Sequence, residues 1–224
     1  KSTALKHGGT WRDYEPLHTF LDSSKATFAG AQHRMLLHSD DLGGWIAQQV
    51  FGPAINGVAT QTIVEQHNFE DLGTPVVLDD WLRPLENLPK PRPQRMPAEI
   101  ADYRRDPYAA AAARWGGKGW EYAPVIQFMD AADHFSDHPK RAFALHNAFG
   151  IFLAERALGP AIELTTGRFD GKLIAVRDIA EDLVRARMSG WILSPADILR
   201  HMPMRAWMGG AHVGAGQRAR HRAA

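Results

Sequence analysis

The chain has 224 residues, 45% of them apolar and 23% charged, with a net charge of +1 and no cysteine. That length suits one large or two modest domains, and the near-neutral charge excludes a global electrostatic drive towards nucleic acid or membrane. Without cysteine there are no disulfides or thiolate metal sites, so His, Asp and Glu are the side chains left to ligate a metal. No long apolar run or signal-peptide pattern occurs, so the expected location is cytoplasmic, or virion-associated if phage-encoded.

In chain order, Ser2 is a good N-cap and Gly8 a good stop for a short opening helix. Residues 15–24 place Leu17, Phe20 and Leu21 on one face, and residues 28–39 do the same with Phe28, Met35 and Leu36, which predicts two helices. Trp45, Ile46, Val50 and Phe51 mark a third, closed by Gly52. Asn56-Gly57, between Ile55 and Val58, is a strong two-residue hairpin signal. A helix over 61–72 follows, stopped by Gly73 and Pro75, and Asp79 caps a last short helix.

The chain then repeats itself. Gly8-Gly9, Tyr14, Pro16, Phe20, Asp22 and His38 recur at constant spacing as Gly116-Gly117, Tyr122, Pro124, Phe128, Asp130 and His146. After a one-residue shift, Gly43, Ala47 and Gly52-Pro53-Ala54-Ile55 match Gly150, Ala154 and Gly159-Pro160-Ala161-Ile162. A longer hairpin, 161–166 against 172–176, brings Ile63 and Glu65 onto Ile179 and Glu181. The expected fold class is mainly α with a small β-hairpin in each of two tandem helical domains. The expected boundaries are 1–84, a Pro-rich linker over 85–98 with the composition of a semi-rigid spacer, 99–208, and a flexible basic tail over 209–224.

On the helix 61–72, His67, Glu70 and Asp71 fall at i, i+3 and i+4 and share a face. His33 and His38 lie on the earlier helix over 28–39, about 140° apart by helical geometry, so only a distorted or terminal turn lets both meet one ion. His33, His38, His67 and Glu70 form a candidate ligand set for zinc, manganese or iron, with Asp71 or Glu65 as general base if the protein is an enzyme. The competing explanation is a buried hydrogen-bond and ion-pair network in which Arg34 or Lys25 supplies the positive charge. The second copy carries Arg141, Leu183, Ala186 and Arg187 at the equivalents of His33, His67, Glu70 and Asp71. Glu65, His38 and Asp22 persist as Glu181, His146 and Asp130 and read as shared scaffold, so any chemistry belongs to residues 33–71. Asp133-His134 and Asp137-His138 read as a turn, because Pro139 disfavours helix at His138. His7, His18 and His201 read as isolated, and the seven tryptophans as fillers of cores or of the seam between domains.

These motifs also carry a resemblance. Asp22-Ser23-Ser24-Lys25, His33-Arg34 with Leu36 and His38, Glu65-Gln66-His67 with Glu70-Asp71-Leu72-Gly73 and Pro75, and Asp80-Trp81-Leu82 resemble an uncharacterised family of small bacterial and phage helical domains. That family shows the patterns D-x-S-K, H-R-x-L-x-H, E-Q-H-x-x-E-D-L-G and D-W-L. The second copy looks like a degenerate member through 150–155. The resemblance implies the fold unit and a bacterial or mobile-element setting, and it brings no activity. Since members look like single copies, the tandem arrangement imitates a homodimer within one chain.

Three functions are compatible with the residues. The leading expectation is a non-enzymatic binding or assembly protein that docks a protein partner through its pseudo-dimeric pair of domains, without a membrane. The second is a metal-dependent hydrolase using the first domain's His and acid cluster. The third is a nucleic-acid accessory protein using Arg218, Arg220 and Arg222 of the tail.

Overall fold

The computed structural model describes residues 2–88 and 91–209. It is mainly α with two small antiparallel hairpins, the fold class expected, and it divides into two compact units. Among the described residues one comprises 2–86 with 199–209, the other 87–88 and 91–198.

The first unit runs through α1 (Ser2–His7), α2 (Trp11–Asp22), a 3-10 turn at Ser23–Ala26 and a second at Ala31–Leu36. Then come α3 (Leu42–Phe51), the hairpin β1 (Ala54–Ile55) and β2 (Val58–Ala59), α4 (Thr60–Leu72) and α5 (Leu78–Leu82). The second unit repeats this order with α6 (Ala98–Ala101) and α7 (Pro107–Trp115) leading. They are followed by α8 (Ala123–Met129), α9 (Ala132–Phe135), α10 (Ala148–Leu158), β3 (Ala161–Glu163), β4 (Leu173–Ala175), α11 (Val176–Arg187) and α12 (Pro195–Leu199).

The repeated residues have repeated jobs. Tyr14 OH donates to Gly8 O at 3.1 Å and Tyr122 OH to Gly116 O at 2.7 Å, each tying a helix to the glycine turn before it. Gly43 and Gly150 let α3 and α10 cross the preceding chain, because a Cβ at either position would run into the carbonyl of Leu37 or Leu145. Asn56 and Gly57 have φ of 50° and 78°, the two left-handed positions that a tight hairpin needs. Ile55 therefore pairs with Val58 in the first hairpin, and Ile162 with Ile174 in the longer second one. The first unit's core is Tyr14, Leu17, Leu21, Met35, Leu37, Ile46, Ile63, Val64, Leu78 and Trp81, all buried.

Several expectations change. Residues 28–39 form no α-helix; Gly30 precedes a 3-10 segment that ends at Leu36, and His38 lies beyond it. The last helix of the first unit is entered at Val77, whose N–H bonds Asp80 Oδ2, so Asp79 lies inside it. Trp81 is fully buried, but Trp11, Trp120 and Trp191 are exposed, Trp120 by 60%, so not all tryptophans fill cores. Residues 92–94 of the Pro-rich stretch are tied to the second unit: Trp191 Nε1 donates to Arg92 O at 2.7 Å, and Gln94 N to Ser189 O at 2.8 Å. By its contacts the segment after Leu199 groups with the first unit. Its Met202 and Met208 are buried, Trp207 packs edge-on to Trp81 at 4.6 Å, and Arg34 Nη1 donates to Met208 O at 2.8 Å. Arg218, Arg220 and Arg222 lie outside the described residues.

Candidate metal centre

Three separate stretches of the first unit bring four side chains together. Asp22 ends α2, where the chain tightens into the 3-10 turn that also carries Lys25. His38 follows the second 3-10 segment, its N–H bonded to Arg34 O at 2.7 Å and its carbonyl to Trp81 Nε1 at 2.9 Å. The tryptophan of the Asp80-Trp81-Leu82 motif thus holds the backbone that presents His38. His67 and Asp71 sit at i and i+4 on α4, near neighbours on one helix face.

One ligand atom from each of Asp22, His38, His67 and Asp71 lies within 4.8 Å of the other three. The two imidazole Nε2 atoms are 3.1 Å apart. His38 Nε2 is 3.4 Å from Asp71 Oδ2, and Asp22 Oδ1 is 3.9 Å from both Nε2 atoms. A tetrahedral ion with bonds of about 2.05 Å has ligand edges of about 3.3 Å. The quartet is thus at that spacing on its imidazole side and a short side-chain adjustment away on the Asp22 side. His38 is completely buried and His67 nearly so, while the carboxylates are 36% and 26% exposed, so the acid side faces water.

The electrostatics keep the donors in ligand form. Burial pushes His38 down to about 4, against the hydrogen bond it donates to Asp71, and burial also lowers His67. Both are neutral at pH 7, as a metal-ligating imidazole must be. Burial would raise the Asp71 carboxyl, but its hydrogen bond with His38, the nearby His67 and the Arg34 guanidinium outweigh it and hold the group well below the usual carboxylate range. Arg34 reaches Asp71 Oδ2 through Nε and Nη2, each at 3.2 Å. Asp22 Oδ1 holds the Lys25 ammonium at 2.6 Å, a half-exposed pair of little net worth.

Hydrogen counting points the same way. A favourable contact between two Nε2 atoms at 3.1 Å uses one hydrogen, so the two imidazoles share one Nε2–H there, while Lys25 and Arg34 supply positive charge to Asp22 and Asp71. Four electron-pair donors thus converge on one centre. Such a group could hold a metal ion, in addition to the Lys25 and Arg34 cations that pair its acids.

Of the residues expected to ligate, His38 and His67 are in the quartet. His33 is buried beside it, its ring 5.9 Å from that of His38 and its Nδ1 donating to Gly30 O at 2.8 Å, but it is not among the four residues whose ligand atoms converge. Glu70 turns away and accepts from Ser2 Oγ and Gln66 Nε2, both at 2.8 Å. Glu65 accepts from Gln61 Nε2 at 2.9 Å and stands at a surface groove, so of the two proposed bases only Asp71 is at the cluster, as a ligand-type oxygen. Asp22, which its recurrence in the second copy marks as scaffold, is instead a member of the quartet. His18, read as isolated, sits against His67, Nδ1 to Nδ1 at 2.9 Å. No spacing signal marks His18; for Asp22 the signal was the D-x-S-K motif itself. His7 contacts Gln66. In the second unit α9 ends at Phe135, so His134 and His138 share no helix, and Arg141 pairs with Asp133 at 2.5 Å.

The second unit shows what replaces the quartet. Asp130 and His146 stand where Asp22 and His38 do, Nε2 to Oδ1 at 3.2 Å. Leu183, buried, takes the place of His67. Arg187, in the place of Asp71, puts its Nη2 3.0 Å from Asp130 Oδ2. Where one imidazole and one carboxylate are missing, a guanidinium on the helix itself pairs with the remaining acid.

The chain belongs to the family described as Domain of unknown function (DUF6915), whose model matches residues 1–90 and again 107–208. The tandem repeat is therefore two copies of one family domain. No curated protein and no solved structure matches the chain.

Proposed function

We propose that the first unit is a metal-binding module and that the protein works as a non-enzymatic binding or assembly factor. In it a divalent ion held by Asp22, His38, His67 and Asp71 pins the partner-docking scaffold. The observation that carries this is the convergence of four ligand atoms from three chain segments within 4.8 Å. Arg187 standing in as the cation at the second unit's counterpart supports it. Two imidazoles and two carboxylates suit zinc first, with manganese and iron as alternatives, and the two acids neutralise a divalent charge.

Four protein donors fill a tetrahedral shell, which favours a structural ion over the open coordination position a hydrolase needs. Docking is supported by a groove of about 700 Å³ lined by Lys6, Asp40, Glu65, Phe69, Glu70 and Pro75. There Phe69 is 56% exposed among three carboxylates, a surface suited to a basic protein segment with an apolar anchor. A bacterial or phage setting belongs to the same proposal and rests on the motif resemblance.

The test is elemental analysis of chain purified without chelator, with cobalt(II) titration of the metal-stripped protein. One ion per chain, and tetrahedral cobalt absorption lost in His67→Ala and Asp22→Asn, are expected. A wild-type chain that neither retains metal nor binds cobalt refutes the metal centre. Bound metal with turnover of a phosphate or peptide ester that is lost in Asp71→Asn would favour the hydrolase instead.

A further inference from the structure

We infer that His18, backed by Thr3, is a positioning residue that sets which nitrogen of His67 faces the ion. The inference rests on the metal centre proposed above and names what orients one of its ligands.

His67 Nδ1 is 2.9 Å from His18 Nδ1, and His18 Nε2 is 2.9 Å from the hydroxyl of the buried Thr3. The His18 and His67 rings are 5.0 Å apart and tilted by 48°. Each contact carries one hydrogen, so the row has two self-consistent directions. In one, the Thr3 hydroxyl donates to His18 Nε2, His18 Nδ1–H donates to His67 Nδ1, and His67 Nε2–H points at His38 Nε2, 3.1 Å away. His67 then has no lone pair for an ion. In the other, His67 Nδ1–H donates to His18 Nδ1 and His18 Nε2–H donates to Thr3 Oγ1. His67 Nε2 is then bare and faces the quartet.

Both rings keep one proton in either direction. Metal binding therefore selects the second direction without net proton uptake or release by His18 or His67. His18 acts as the acceptor behind a ligating imidazole, the place usually taken by a carboxylate or carbonyl. It also links the centre to α1, since Thr3 lies on that helix, which Ser2 and His7 fasten to α4 through Glu70 and Gln66.

The test compares wild type, His18→Asn and His18→Leu by zinc competition against a chromophoric chelator. Long-range 1H–15N spectra of the imidazoles are recorded in the zinc-loaded wild type. Asparagine keeps an acceptor close to the position of Nδ1, whereas leucine keeps bulk without one. The expected result is a 10- to 100-fold loss of zinc affinity in His18→Leu, substantial recovery in His18→Asn, and a His67 pattern with the hydrogen on Nδ1. Equal affinity in wild type and His18→Leu, or a zinc-loaded His67 with its hydrogen on Nε2, overturns the role of His18 while leaving the metal centre standing. A wild-type chain that binds no zinc overturns both. The wild-type spectrum needs no variant, so a His18→Leu chain that fails to fold still leaves a deciding measurement.

Discussion

Metal-stripped protein should lose stability in its first unit between pH 6.5 and 4, with His38 as the main cause. The imidazole is fully buried, and burial lowers it from 6.5 to about 4. For a base whose folded value is depressed, the unfolded chain binds the extra proton first. Stability is therefore complete above the unfolded value and falls as pH drops towards the folded one. The full displacement corresponds to roughly 3 kcal/mol, of which about 2 to 3 kcal/mol is lost by pH 4.5. His67, His18 and His33 are lowered by burial as well and steepen the same window. Asp71 adds a separate loss at lower pH. Its folded value lies below the ordinary 3.8, so its contribution is present above that value and disappears only as pH falls through the range beneath it. Hydrogen exchange of the α4 amides, followed in chelator from pH 7.5 to 4.5, isolates the first unit from the second. A profile flat to within about 0.5 kcal/mol, or a His38→Gln variant with the wild-type slope, would refute the buried neutral imidazole.

Zinc at a hundred times its dissociation constant should stabilise the first unit by about 2.7 kcal/mol and leave the second unmoved, because Arg187 is already in place there. Calorimetry with zinc and with chelator reads this as one shifting and one fixed transition, and equal shifts in both would contradict it. Leu183→His combined with Arg187→Asp should raise cobalt stoichiometry from one ion per chain to two. A folded double variant that still binds one would show that Asp130 and His146 are not laid out like their counterparts. Trp81→Phe leaves the buried His38 carbonyl without its donor and should cost about 1 to 3 kcal/mol, with weaker zinc binding as His38 loosens. Urea unfolding indistinguishable from wild type would remove Trp81 from the support of the site.

Local rules made much of the framework legible in the sequence. Asn56-Gly57 announces a turn wherever it stands, because only such residues tolerate two successive left-handed positions. Gly73, at φ 74°, ends α4 as expected, and the constant spacing of Gly8, Tyr14, Asp22 and His38 with their second-copy partners reports the duplication without reference to contacts. Helical spacing on α4 also singled out His67 and Asp71 as neighbours.

Tertiary structure decided which of these donors meet. Glu70 and Asp71 are adjacent on α4, about 100° apart around the helix. The docking of α1 draws Glu70 to Ser2, while Arg34 and His38 hold Asp71 at the quartet. Asp22 and His18 enter from α2, which has no sequence relation to α4 that would predict the approach. His33 stays outside the quartet because its segment closes as a 3-10 turn that leaves its ring 5.9 Å from that of His38. Sequence periodicity gives a side chain's direction about its own helix axis; whether two axes bring their donors within one ion's reach depends on packing between segments far apart in the chain.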